Sequence, residues 1–275
     1  MYSGVPKRDN REKRGRFSRF LFWVLFFGFL GVCGYILFFS PFLEIESVGI
    51  EGNSDISSEE IAGKVNGALD GKYFNLFSKR NFFLASRRAM SESLKNGFSR
   101  LEVSSVEKKF PRAILVKVKE RQPEMAWCSS GVCYLVDKDG FVYAGANATD
   151  EELGKDRFLI VIDDSARPVD IKKTTVNPDF MHYVKSADAM LVSGLGFQIE
   201  GNYHTPALSS QEISVRIVEE GNEGWTLKLN QSVSIEDTKK TIQTVFDKEL
   251  EGEKRKSLEY LDLRVKNKVY YKLRS

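Results

Sequence analysis

Twenty consecutive residues, Phe20 to Phe39 (FLFWVLFFGFLGVCGYILFF), carry no charge and no proline. At about 1.5 Å per residue, a helix over this run is about 30 Å long and matches a bilayer's hydrocarbon core. A single segment crosses lipid only as a helix, because its backbone N–H and C=O groups must be satisfied internally. Phe20, Phe22 and Trp23 mark one end, and Tyr35, Phe38 and Phe39 the other. Trp23 and Tyr35 suit the membrane–water interface. The rival reading is a cleaved signal peptide, with an apolar run of about 7–15 residues and a small-x-small site. Here the run is longer, and bulky FFSPFL (38–43) follows it. Nor has the run a polar face, so a helix in a soluble core fits less well. We read residues 20–39 as an uncleaved transmembrane helix. Gly28, Gly31 and Gly34 lie close to one face, which suits helix packing, although glycine is frequent in such helices anyway.

Charge orients this helix. Lys7, Arg8, Arg11, Lys13, Arg14, Arg16 and Arg19 precede it with Asp9 and Glu12, a local balance of 7 − 2 = +5. Glu44 and Glu46 follow it. Positive charge stays on the cytoplasmic side. Residues 1–19 are therefore expected to be a cytoplasmic basic tail, and residues 40–275 extracytoplasmic. The whole chain of 275 residues sums to 41 − 38 = +3, too little for a nucleic-acid binder. With 42% hydrophobic and 29% charged residues, wholesale disorder is excluded.

Residues 42–122 read as one domain. Phe42–Glu51 is strand-like and stops at Gly52-Asn53. Ser57 and Glu60 form a capping box for a helix through Ile61, Val65 and Leu69. A second helix is expected over Phe83–Asn96, with Leu84, Met90 and Leu94 as core candidates. Leu101–Phe110 and Ala113–Arg121 follow as strands around Pro111-Arg112. In the second, Ile114, Val116 and Val118 form the dry face.

The motifs IESVGIEGN (45–53), SSEEI (57–61), KKFPRAILVKVKERQPEMAW (108–127) and YLVDKDGFVY (134–143) make this stretch resemble a POTRA domain. The specific resemblance is to the bacterial cell-division family FtsQ/DivIB. It implies an α+β fold: a β-α-α-β-β POTRA domain after a single transmembrane helix, then a C-terminal mixed β-sheet domain with flanking helices.

Residues 123–275 read as that second domain. Met125–Cys128 and Cys133–Val136 face each other across a short hairpin. Cys128 and Cys133 are expected to be bonded in an extracytoplasmic domain, a staple of about 2 kcal/mol from chain entropy. A redox pair is the alternative, but the spacing is not C-x-x-C and no helix start lies there to lower a thiol pKa. Cys33 lies in the membrane run. Asp137-Lys138-Asp139-Gly140 reads as a turn, since the further ligands of a calcium loop are missing. Strands are expected at Phe158–Ile162, Ile213–Val218 and Trp225–Leu229. Helices are expected at Pro178–Ser193, stopped by Gly194, and from Ser234 through Leu250. Residues 144–210 match the family only in general pattern.

The final segment, EYLDLRVKNKVYYK (259–272), is similar to the closing part of FtsQ-type proteins. Leu258–Val265 alternates, with Leu261, Leu263 and Val265 on one side. Lys266-Asn267-Lys268 turns the chain into a last strand. An edge strand leaves backbone groups unpaired, to which a partner segment can add. Tyr260, Tyr270 and Tyr271 are candidate anchors. Arg264, Lys266, Lys268 and Lys272 suit an acidic partner, and Asp262 completes the segment; the basic residues equally suit protection of a bare edge. The POTRA-like domain is expected to offer a second docking edge.

The resemblance implies a non-enzymatic divisome scaffold at the division septum of the cell membrane. It would recruit FtsB/FtsL-type proteins and other divisome components, with membrane contact through residues 20–39. No catalytic, cofactor-binding or metal-binding residues are expected, and no nucleic acid or small-molecule substrate. His182 and His204 have no partner at metal-ligand spacing, and the adjacent Asp163 and Asp164 face opposite sides of a strand. Other readings are a membrane-anchored cell-wall or thiol-redox enzyme, and a POTRA chaperone module for outer-membrane assembly. The sequons at Asn147 and Asn230 leave a eukaryotic secretory protein conceivable.

Overall fold

The apolar run is helical, and the helix begins before it. The computed structural model describes residues 11–146, 158–219 and 223–274. Lys7 and Arg8 of the basic tail, the sequon at Asn147 and the tip of the EEGNEG turn (220–222) lie outside them. Helix α1 spans Arg11–Phe39, and its Ser18–Phe39 part is long and apolar enough to cross a membrane. The chain divides into two compact units between Glu120 and Arg121.

In the first unit the expected strand over Phe42–Glu51 is shorter. Pro41 starts a tight turn over Pro41–Leu43, capped by the Ser40 hydroxyl, and β1 covers only Ser47–Glu51. Proline fixes its own φ for such a turn, so the chain leaves α1 through a joint before it extends. Gly52, at φ +90°, ends β1; a Cβ there would lie 2.1 Å from Val118 O. Helix α2 spans Ser58–Leu69, and Ser57 Oγ accepts the Glu60 N–H at 3.2 Å, as the capping box requires. A small hairpin of β2 (Lys72–Tyr73) and β3 (Phe77–Ser78) follows, which the sequence reading had not anticipated. Helix α3 spans Arg87–Gly97 and starts later than expected, because Asn81 Oδ1 takes the Phe83 N–H into a turn and Ser86 is the cap. Ala85, rather than Leu84, joins the core. Strands β4 (Leu101–Lys109) and β5 (Ala113–Glu120) complete a sheet ordered β1-β5-β4. Strand β1 is parallel to β5, and β4 antiparallel to it. Ile114, Val116 and Val118 pack on Ile61, Val65, Met90 and Leu94 of the two helices.

The second unit is one nine-stranded sheet. Its strands are β6 (Met125–Ser129), β7 (Val132–Val136), β8 (Val142–Ala146), β9 (Ile160–Asp163), β10 (Gln198–Thr205), β11 (Glu212–Val218), β12 (Trp225–Asn230), β13 (Leu258–Asp262) and β14 (Tyr270–Leu273). Their order is β14-β13-β12-β11-β10-β9-β6-β7-β8. Pairs β6–β9, β9–β10 and β12–β13 are parallel and the others antiparallel, so the sheet is mixed. Helices α4 (Pro178–Ala189), α5 (Ile235–Lys248) and the short α6 (Glu253–Lys256) lie between strands in the chain. The helix expected to stop at Gly194 instead passes into a π turn over Met190–Gly194, and Gly196, at φ +72°, follows it. Phe180, Val184 and Leu191 join the same core as Ile242 and Phe246. Rings of Phe197, Trp225 and Phe246 meet edge to face at 5.7–6.0 Å, a favoured aromatic geometry. The α+β fold class read from the sequence holds.

Candidate docking edge

Strand β14 exists because Lys266–Lys268 turns the chain back on β13. Asn267 takes φ +60° there, a conformation asparagine tolerates well. Tyr260 then faces Lys272, Leu261 faces Tyr271 and Asp262 faces Tyr270. Strand β13 ends at Asp262, so the alternation expected through Val265 stops early. Leu261 and Leu263 are buried, whereas Val265 is exposed.

The two ends of the sheet differ. At β8, the 170–176 segment lies along the edge: Val142 N–H donates to Thr174 O at 3.3 Å, and Lys172 N–H to Val142 O at 2.9 Å. At β14, no strand lies beyond among the described residues. Tyr270 and Tyr271 are both exposed on it.

The charged side chains at this edge are unequal. Arg264 Nε and Nη2 fork onto Asp262 at 2.7–3.1 Å, and Nη1 donates to Glu212 Oε2 at 2.8 Å. Its bonds to Asp262 and then Glu212 raise the guanidinium pKa further above its ordinary value. The bond from Arg264, outweighing burial, holds the Asp262 carboxyl below its usual range. Lys272 Nζ reaches Glu259 at 2.7 Å, and that bond raises its pKa. Lys228 Nζ lies 4.8 Å from the centre of the Tyr260 ring. Lys266 and Lys268 are exposed in the turn. Glu212, Lys228 and Glu259 were not singled out by the sequence reading. Glu259 is close to its partner in the chain, but Glu212 lies 52 residues from Arg264, and no local spacing signals that pair.

Cys128 and Cys133 are direct register partners and are joined as a disulfide. His204 Nδ1 is 2.9 Å from Asp164 Oδ1 in an exposed pair, and His182 is exposed. Asp163 lies buried beside Arg167, Asn177 and Leu208 in a cleft, where the Ser165 N–H and hydroxyl donate to it at 2.9 and 2.6 Å. Among the described residues no three His, Cys, Asp or Glu side chains gather as metal ligands.

A family model described as "POTRA domain, FtsQ-type" matches residues 43–121, the stretch that builds the three-stranded unit. Residues 43–121 are thus similar to FtsQ-type POTRA domains. The chain is also 27% identical over 164 residues to the cell division protein FtsQ of Chloroflexus aggregans. The match covers 60% of this chain and 54% of the relative, so the chain spans about half the length of that curated relative. Both similarities agree with the FtsQ/DivIB resemblance carried by the motifs. The two outer strands of the POTRA sheet are β1 and β4.

Proposed function

We propose that the chain is a membrane-anchored, non-enzymatic cell-division scaffold that captures FtsB/FtsL-type partners by strand addition at β14. The POTRA type and the FtsQ relative support a cell-division role. The observation that carries the docking mechanism is the β14 edge, beyond which no strand lies among the described residues, set against the loop-covered β8 edge. Backbone groups on such an edge supply affinity, and flanking side chains select the segment that pairs. Tyr270 and Tyr271 serve as anchors. Lys266 and Lys268 attract an acidic segment, while Arg264 and Lys272, already paired with carboxylates, position the hairpin. The POTRA domain offers β1 or β4 as a second edge. Residues 1–19 lie in the cytoplasm, α1 crosses the cell membrane, and residues 40–275 stand outside it at the septum.

The test is capture of an FtsB-type protein by the full chain in detergent. Tyr271→Pro removes one backbone donor from the edge strand, and Lys266→Glu with Lys268→Glu reverses the turn charge. Both variants should retain the thermal unfolding of the second unit and lose capture. Wild-type capture by Tyr271→Pro overturns the docking edge. Protease accessibility of the second unit from the cytoplasmic side overturns the orientation.

A further inference from the structure

Exposed large apolar side chains outside α1 are concentrated around its end. Phe42, Phe74, Leu76, Phe83 and Phe110 are all exposed, Phe74 at 90%. Elsewhere among the described residues such side chains are single aliphatics or the two tyrosines of β14. Three segments bring the group together. Phe38 and Phe39, in the last turn of α1, meet Phe77 of β3 at 5.8 and 5.3 Å between ring centres. Phe82 packs on Phe83 and Phe110 at 5.5 and 5.6 Å, and its N–H donates to Leu43 O at 2.7 Å. Arg112, beside Phe110 in the β4–β5 turn, reaches back to Pro41 O at 3.4 Å.

The tip of the β2–β3 hairpin is costly in water on two counts. Phe74 and Asn75 both have positive φ, 51° and 60°, and the Leu76 N–H donates to Tyr73 O at 3.0 Å. Turns of this kind favour Gly, Asn and Asp. Asn75 fits, but Phe74 is a bulky residue in the left-handed region, with its ring projecting from the protein. Strained positions of this sort concentrate at functional sites. Basic side chains flank the rings. Lys79 Nζ lies 5.7 Å from the Tyr73 ring centre, Lys108 Nζ lies 5.6 Å from that of Phe82, and Lys72 adjoins Tyr73. Of the nearby carboxylates, those of Asp70, Glu46 and Glu107 are engaged by Arg80, Arg112 and the Lys109–Lys117 pair, and Glu44 sits half-buried in the joint after α1.

We infer that this face of the POTRA domain, led by Phe74 and Leu76, docks on the anionic phospholipid surface of the bilayer that α1 crosses. The inference rests on α1 being a membrane span. The 22 residues of Ser18–Phe39 use up the hydrocarbon thickness, so Phe39 reaches the far boundary and Phe77, touching it, brings the hairpin to the interface. Aromatic rings with lysines beside them are the composition that binds there. The aromatic surface of the last helical turn thus continues into the domain, and the anchor and docking face engage the same bilayer. Phe74 is strained and exposed in water, and has an apolar environment only at the membrane.

The test reads two depths in one experiment. The full chain is reconstituted in vesicles of phosphatidylcholine and phosphatidylglycerol whose choline lipid is brominated near the headgroup. Trp127 and Trp225, both buried in the second unit, give a constant background. Quenching of Trp23 in the otherwise wild-type chain reports the membrane span. In a Trp23→Phe, Phe74→Trp chain, the introduced indole should emit at shorter wavelength and be quenched, more strongly with phosphatidylglycerol than without it. Water-like, unquenched emission from position 74 while Trp23 is quenched overturns the docking. A blue-shifted but unquenched signal means that a protein surface covers the hairpin, and also overturns it. No quenching of Trp23 removes the span and the inference together. Phe74→Asn, which suits the turn, should unfold in detergent no more easily than wild type. In vesicles it should lose the slowed hydrogen exchange of the Tyr73–Phe77 amides; unchanged protection overturns the role of Phe74.

Discussion

Asn81 Nδ2 donates a 2.8 Å hydrogen bond to the carbonyl oxygen of Leu37. Leu37 lies in the last turn of α1, where helix carbonyls have no intrahelical donor, and Asn81 is buried in the POTRA unit. The same side chain accepts the Phe83 N–H at 2.9 Å through Oδ1. One amide therefore ties the end of α1 to the turn before α3. Asn81→Ala leaves two backbone groups without partners and should cost about 1–3 kcal/mol. Thermal unfolding of the detergent-solubilised chain and faster exchange of the Phe83 amide check this. Asn81→Asp keeps the acceptor but sets a carboxylate against the Leu37 carbonyl, so it should not rescue.

Glu120 closes the POTRA sheet onto the loop before α2. Its carboxylate accepts the N–H groups of Ser54, Asp55 and Ile56 at 2.7–3.1 Å. Burial pushes this carboxyl up, but those three donors with the Ser54 hydroxyl outweigh it and hold the pKa below the usual value. A folded pKa below the unfolded one contributes stability that is present above the unfolded value, about 4.3, and is lost as pH falls through the folded one. Glu120→Gln should cost about 1–3 kcal/mol at neutral pH and flatten the loss of stability on acidification. Denaturant unfolding of both chains at neutral and acid pH measures the difference.

Gly140, at φ +80°, turns β7 towards β8, and a Cβ on it would lie 1.8 Å from Val176 O. Its carbonyl accepts the Val176 N–H at 2.7 Å. Gly140→Ala must therefore push the 174–176 segment off the β8 edge as well as strain the turn. We expect a loss of at least about 1–3 kcal/mol. Hydrogen exchange should rise at the Val142 and Val176 amides.

Arg264, about one-third exposed, holds Asp262 and Glu212 together across β11 and β13. Solvent screening keeps such pairs modest. A double-mutant cycle of Arg264→Ala with Glu212→Ala should show a coupling of about 0.5–1 kcal/mol. The Asp262 carboxyl should titrate higher once Arg264 is gone, visible by NMR. Stability held by that depressed carboxyl is present above its unfolded pKa and lost as pH falls through the folded one.

The disulfide is the simplest case. Cys128→Ser with Cys133→Ser should lower the stability of the second unit by about 2 kcal/mol through the closed loop alone. Capture of a partner at the distant β14 edge should be unaffected, which a pull-down beside the melting curve checks.

Elements with a short-range cause were legible in the chain. The Ser57 and Ser234 caps, the β4–β5 hairpin, the Cys128–Cys133 opposition and the β11–β12 pair all lie where local spacing puts them. Strand β10 was not legible. It runs through the middle of the sheet as QIEGNYHT, with a register shift between Glu200 and His204 and Gly201 at φ +74°, so its polar and apolar positions do not alternate cleanly. The β2–β3 hairpin was missed because two-residue strands carry no periodicity, and because Phe at a positive-φ turn position contradicts the usual turn signal.

By itself the sequence determined the membrane-length helix, the strand-helix-helix-strand-strand order after it and the capped helices, because each depends on hydrophobic period and cap chemistry within a few residues; the POTRA assignment came from the resemblance of its motifs. Only the tertiary structure decided which strands became edges, that Arg264 is held by Glu212, and that segments carrying exposed apolar side chains gather near the end of α1. Those relationships join residues from separate segments, many of them far apart in sequence. They exist only once the buried faces of sheet and helices have packed and brought the segments together.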